Sequence, residues 1–203
     1  MAIPRGSLIV LEGLEYSGKS TVVTKLLNDF PNSVVTEFPN QQGPFGSLIN
    51  GYLSKWINVT PAAAHLLQSA QRWNRVPDIL SYLYSGTNVI CERYCYSAIV
   101  HSMCSGCLKC AWCRQTEEGL PKPDLVIFLD ASLETINQRR VFHPTTSQRS
   151  RMQSTYDKFH HLKWLEGNWK SVDANNSQED VYGEVYNLAY AEINQQHFTI
   201  RLI

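Results

Sequence analysis

Eight residues constrain this chain more than any others: Gly13-Leu14-Glu15-Tyr16-Ser17-Gly18-Lys19-Ser20, a complete G-x-x-x-x-G-K-S. The pattern carries meaning only between a strand and a helix. Here the apolar run 7–12 precedes it and the helix-like run 21–27, opening at Thr21, follows it. Glycine at both ends lets backbone N–H groups turn inward around phosphate oxygens, and the helix N-terminus adds its own partial positive charge. Lys19 offers a mobile charge to the β- and γ-phosphates, and the Ser20 hydroxyl can ligate Mg2+. Such a loop must be fed by a buried strand and left by a helix, which demands an open α/β sheet. The N-K-x-D element that a GTPase switch would also carry is absent from the sequence, so a phosphotransferase is favoured over a binding switch.

Four further β-branched runs, 34–37, 88–92, 125–130 and 170–173, alternate with longer helical patterns, which predicts a parallel sheet wrapped by helices. Thr60 followed by Pro61 marks a helix start, and Ala63, Leu66, Leu67 and Ala70 give that helix an apolar face. Ser177 can cap a last helix whose face is Val181, Val185, Leu188, Ala189 and Ile193. The stretches 105–122 and 142–151 have the weakest patterns and are expected to be functional loops. At 203 residues the chain can bury one core, so a single domain is expected over 1–203. Its 18 basic and 18 acidic residues cancel, so no nucleic-acid surface is expected and phosphate chemistry must be local. No apolar run approaches the roughly 20 residues of a spanning helix, and the N-terminus lacks a basic-then-apolar leader pattern. A cytoplasmic protein without membrane contact is the expectation.

Beyond the loop, an ordered set of segments resembles the thymidylate kinases, particularly those of eukaryotes and large DNA viruses. The set is Phe38-Pro39, GSLINGYL at 46–53, Leu66 through Trp73, Glu92-Arg93-Tyr94 with Tyr96-Ser97, Gly119-Leu120-Pro121-Lys122-Pro123-Asp124-Leu125-Val126, Asn168-Trp169-Lys170 and Val172-Asp173-Ala174. The resemblance implies a three-layer α/β/α P-loop kinase fold with a five-stranded parallel sheet and a mobile lid at about 139–151. It implies ATP and Mg2+ as cofactors, dTMP as acceptor and a homodimer. It also implies roles. Gly13, Glu15, Tyr16, Ser17, Gly18, Lys19, Ser20 and Thr21 would hold ATP, and Ser20 with Glu92 would hold the metal. Glu15 would also meet the sugar 3′-hydroxyl, Arg93 would clamp the acceptor phosphate, and Phe38, Gln68, Arg72 and Ser97 would line the acceptor site. Catalysis would rest on Lys19, Arg93 and the lid arginines Arg139 and Arg149, with Arg140 and Arg151 as substitutes. The chemistry of Arg72 agrees: a guanidinium only donates, so it favours a base edge of carbonyl acceptors, as thymine or uracil presents, over an amino group.

Several positions depart from that pattern. Gln68 stands where the family has a phenylalanine that stacks on the base, so Tyr96, His101 or Trp112 is expected to supply the platform. Gln41 replaces an arginine, Ala98 replaces a glycine, and Tyr16 replaces the basic loop residue of the eukaryotic enzymes, which throws the charge requirement onto the lid. Cys104, Cys107, Cys110 and Cys113 form an unbroken C-x-x-C-x-x-C-x-x-C that could bind metal. The competing readings are a kinase for another nucleotide or nucleoside and a metal-binding or redox-sensing protein on a degenerate kinase scaffold.

Overall fold

The runs read as buried strands pair into one parallel sheet in a computed structural model that describes residues 4–140, 144–166 and 169–203. β1 (Leu8–Gly13) lies at the centre between β3 (Asn88–Glu92) and β4 (Leu125–Asp130). β2 (Ser33–Glu37) extends the sheet beyond β3, and β5 (Trp169–Asp173) beyond β4, giving the order β2-β3-β1-β4-β5. In register, Val10 stands between Cys91 and Val126. β1, β3 and β4 are buried along nearly their whole length because helices cover both faces, which is why they read as continuous apolar runs rather than alternating ones. The chain moves from β1 to one side for β2 and to the other for β4, so a crevice opens at the carboxyl ends of the central strands.

On the helical layers, α1 (Lys19–Asp29) packs with α8 (Gln178–Ile193), while α4 (Cys95–Met103) packs with both α3 (Pro61–Tyr84) and α7 (Thr146–Glu166). The shorter α2 (Gly46–Leu53), α5 (Cys110–Gln115) and α6 (Leu133–Arg139) complete the set among the described residues. Caps fall where the sequence places them: Ala63 N donates to Thr60 Oγ1 at 3.2 Å and Asp180 N to Ser177 Oγ at 3.2 Å.

The apolar face of α3, with Ala63, Leu66, Leu67 and Ala70, is not the side it buries: Leu66 is 48% exposed, and the residues turned inward include His65, Ser69, Gln71 and Arg72. Apolar periodicity names a face that avoids water, and cannot distinguish burial in the chain's own core from a face left for another surface. The stretch 105–122 is not a loop throughout, since it contains α5 and buries Cys113, Glu117 and Leu120. The stretch 142–151 is helical from Thr146 onward, because α7 begins there; residues 142 and 143, and Asn168 of the family motif, lie outside the described residues.

Candidate active site

The phosphate loop takes the shape its glycines permit. Gly18 has φ 102° and Gly13 φ 146°, and a Cβ on Gly13 would stand 2.8 Å from both Leu129 O and Ser17 Oγ. Lys19, only 4% exposed, donates from Nζ to Leu14 O at 2.6 Å, Gly13 O at 3.1 Å and Ser17 Oγ at 3.3 Å. Burial, followed by the positive charge of Arg93, brings its pKa down to about 7. A cavity of about 630 Å3 opens over the loop, lined by Glu15, Tyr16, Ser17, Gly18, Lys19, Ser20 and Thr21. Gly13 is not on that wall; its carbonyl accepts from Lys19 and, at 3.3 Å, from Arg93 Nη1.

Ser20 Oγ donates to Glu92 Oε1 at 2.7 Å, and both residues line this cavity. A hydroxyl and a carboxylate side by side at a phosphate loop are hard oxygen donors of the kind Mg2+ takes.

Arg93 adopts φ 64°, a conformation non-glycine residues rarely take, and a residue sequence reasoning passed over explains how it is held. Glu12, fully buried in β1, accepts from Tyr94 N at 2.9 Å, Ser97 N at 3.1 Å and Ser97 Oγ at 2.5 Å. Burial raises the Glu12 pKa, and the Ser97 hydrogen bond and Arg93 charge oppose that rise. The carboxylate thus anchors the turn from β3 into α4, and Arg93 Nη1 reaches Ser97 Oγ at 3.2 Å. The available signal was a lone acid inside an otherwise apolar strand.

A second cavity, of about 660 Å3, is lined by Glu15, Phe38, Gln68, Arg72, Arg93 and Ser97, all expected at the acceptor site, but not by Tyr96, which was expected there as well. Arg72 is 2% exposed, and Glu117 holds it through Nε to Oε2 at 2.8 Å and Nη2 to Oε1 at 2.5 Å. Burial acts to lower the Arg72 pKa, but the hydrogen bonds and charge of Glu117 outweigh it and the net shift is upward. Of the three aromatic substitutes for a ring at position 68, only His101 lines this cavity. Tyr96 is buried against Trp169, with centroids 4.9 Å apart, and Trp112 packs on His65 at 5.5 Å. Burial, then the charges of Arg93, Arg151 and Lys19, lowers the His101 pKa to about 3, so its imidazole stays neutral.

With this geometry, the comparisons with known proteins agree. A family model for thymidylate kinase matches residues 11–185. The chain belongs to the thymidylate kinase family. It is similar to the thymidylate kinase of Dictyostelium discoideum, at 33% identity over 97% of this chain and 90% of that one. The thymidylate kinase of Homo sapiens is 36% identical over 91% and 90% of the two chains. A solved thymidylate kinase from Candida albicans, described as having broad substrate specificity, superposes with a TM-score of 0.89 at 28% identity and 99% coverage of both chains. The fold is therefore the α/β P-loop kinase fold, and the chain is of an ATP-dependent nucleoside-monophosphate kinase family.

Within a thymidylate kinase framework the lid-side arginines separate by position. Arg139 donates from Nη2 to Ala174 O at 2.8 Å and from Nη1 to Ser17 O at 3.4 Å, on the wall of the phosphate-loop cavity. Arg140 lies 5.2 Å over the ring of Tyr16, the loop residue that lacks a charge, and lines the acceptor cavity with Arg151. Arg149 lines neither cavity; its Nε reaches Pro144 O at 3.4 Å. The cysteine run does not converge either. Cys113 is buried, Cys107 is exposed, and among the described residues the sole group of three or more metal-ligating side chains is Asp124, Glu192 and His197. Asp124 there is already gripped by Arg5 through two 2.7 Å hydrogen bonds.

Proposed function

We propose that this chain transfers the γ-phosphoryl group of ATP to the 5′-phosphate of dTMP, giving ADP and dTDP for dTTP synthesis. One observation carries the reading: the phosphate-loop cavity and the acceptor cavity share Glu15, Glu92 and Arg93. An in-line transfer needs donor and acceptor phosphates to meet end to end, and those three side chains mark the meeting place.

In this reading the acceptor phosphate is already an adequate nucleophile and needs no strong base. Arg93 holds it, its guanidinium fixed by Ser97 and through Ser97 by Glu12. Lys19 leaves its loop carbonyls for the β- and γ-phosphate oxygens. Glu15, on both walls, suits a sugar hydroxyl, and Arg72 meets the carbonyl edge of the base. Ser20 and Glu92 would hold Mg2+, which neutralises charge on the transferring phosphoryl group. Arg139 and then Arg140 supply the cation that Tyr16 cannot, and the lid expected at about 139–151, of which residues 141–143 lie outside the described ones, would serve to exclude water. Arg149 would have to move to take part.

Gln68 and His101 present polar, adaptable groups where a phenyl ring would stack, which supports a second reading as a kinase with other (deoxy)nucleoside monophosphates among its acceptors. The outward apolar face of α2 and α3, with Leu48, Leu66 and Trp73 exposed, supports a homodimer. No described helix is long and apolar enough to cross a membrane, in keeping with a cytoplasmic, small-molecule kinase. A coupled ADP-release assay with dTMP, dUMP, UMP, CMP, GMP and AMP tests the activity, and sedimentation tests the dimer.

A further inference from the structure

Arg72 is buried on α3 beside the polar His65, Ser69 and Gln71, and a guanidinium there can rotate among several rotamers unless something fixes it. Its five N–H donors divide into a side edge, formed by Nε and Nη2, and a forward edge, formed by Nη1 and the second Nη2 hydrogen. Glu117 occupies the side edge completely, at 2.8 and 2.5 Å, with its carboxylate fully buried. Among the described residues Nη1 makes no hydrogen bond, and Arg72 lines the acceptor cavity.

Glu117 is itself held. Thr116 Oγ1 donates to Glu117 Oε1 at 3.2 Å, and His65 Nε2 lies 3.6 Å from the same oxygen. The backbone that follows is fastened to the chain's end: Gly119 N donates to Ile203 O at 3.1 Å, Ile203 N to Leu120 O at 2.9 Å and Lys122 N to Arg201 O at 2.8 Å. Ser69 and Trp73, on the same helix as Arg72, both donate to Thr116 O, at 2.9 and 3.0 Å. The carboxylate and the helix carrying Arg72 are thus braced against each other from several directions.

We infer that Glu117 is a specificity-determining positioning residue: it locks the side edge of Arg72 so that only the forward donors face the acceptor base, which makes the site select a carbonyl over an amino group there. This rests on the proposed contact between Arg72 and the base. A free guanidinium could turn aside from an amino-bearing base and bind it through water. A locked one cannot, so the penalty against such a base is set by Glu117 as much as by Arg72.

The test compares dTMP with dCMP in steady-state kinetics for Glu117→Gln, Arg72→Met and the double variant Arg72→Met/Glu117→Leu. The amide of Glu117→Gln keeps the shape but replaces one of the two acceptor oxygens by an NH2 donor, so it cannot pair with both Nε and Nη2 of Arg72. It should raise KM for dTMP by about tenfold, leave kcat within about threefold and KM for ATP unchanged, and cut the dTMP over dCMP preference by about tenfold. The double variant removes both partners, so it avoids leaving a lone buried charge and decides the matter even where Glu117→Gln does not fold. It should match Arg72→Met in acceptor KM and base preference, because Glu117 acts only through Arg72. A folded Glu117→Gln enzyme with wild-type preference overturns the inference, as does a double variant whose acceptor KM exceeds that of Arg72→Met by tenfold or more. Arg72→Met with unchanged preference would instead remove the base contact itself, a separate failure.

Discussion

Ser20 Oγ and Glu92 Oε1 stand 2.7 Å apart although 72 residues separate them, joined because β1 and β3 are neighbours whose carboxyl ends open on one cavity. The pairing puts the metal-binding expectation for both residues at one place. Glu92→Ala should lower kcat by about tenfold or more and raise the Mg2+ concentration needed for half-maximal rate, since a hydroxyl alone is a weak ligand. A Mg2+ titration reads both. An unchanged Mg2+ requirement would mean that Glu92 merely packs against the loop.

The lid arginines separate in the structure, and their variants should separate too. Arg139→Ala should lower kcat by about two orders of magnitude with little change in dTMP affinity, because a cation delivered to the transferring phosphoryl group acts in the transition state. Arg140→Ala comes next, since Arg140 lies over Tyr16. If Arg139, Arg140, Arg149 and Arg151 variants all stay within about fivefold of wild type in kcat, Lys19 and the metal carry the charge unaided.

Lys19 sets a pH dependence. Its pKa in the free protein is about 7, lowered first by burial and then by Arg93. Bound triphosphate favours the ammonium form and raises that value, so ATP binding at pH 8 should take up close to one proton and at pH 6 only about a tenth of one. Apparent ATP affinity should then fall as pH rises above 7, by up to about tenfold per unit. Calorimetry in two buffers of different ionisation enthalpy measures the uptake; none at pH 8 would contradict it.

How much was legible beforehand depends on what each signal measures. The five strands and the phosphate loop were readable because a buried parallel strand and a glycine-framed loop are local patterns, and β3 and β4 span the residues expected of them. The inward face of α3 was not legible because His65, Ser69 and Arg72 are buried by long-range hydrogen bonds to the segment ending in Thr116 and Glu117, which no helical periodicity encodes. Glu117 itself sits in a stretch without helical or strand periodicity, yet it holds Arg72, the residue to which the base contact is proposed. Glu12 was overlooked for the opposite reason: its strand read so clearly as core that the acid within it drew no notice.

Gln68 offers a graded test of the acceptor wall. With His101 on the same cavity as a neutral ring, Gln68→Phe should tighten dTMP binding only modestly, or weaken it by crowding. A gain of tenfold or more, about 1.4 kcal/mol, would mean that His101 supplies no platform and that selectivity rests on hydrogen bonds alone.

Acceptor choice decides the proposed reaction, and it is read from the rate of ADP release across dTMP, dUMP, UMP, CMP, GMP and AMP at fixed ATP and Mg2+. The cavity framed by Arg72, Gln68, Arg93 and Ser97 predicts the highest kcat/KM for dTMP, with dUMP behind it, because both present a carbonyl to the locked guanidinium. Faster turnover of CMP or AMP than of dTMP would contradict it.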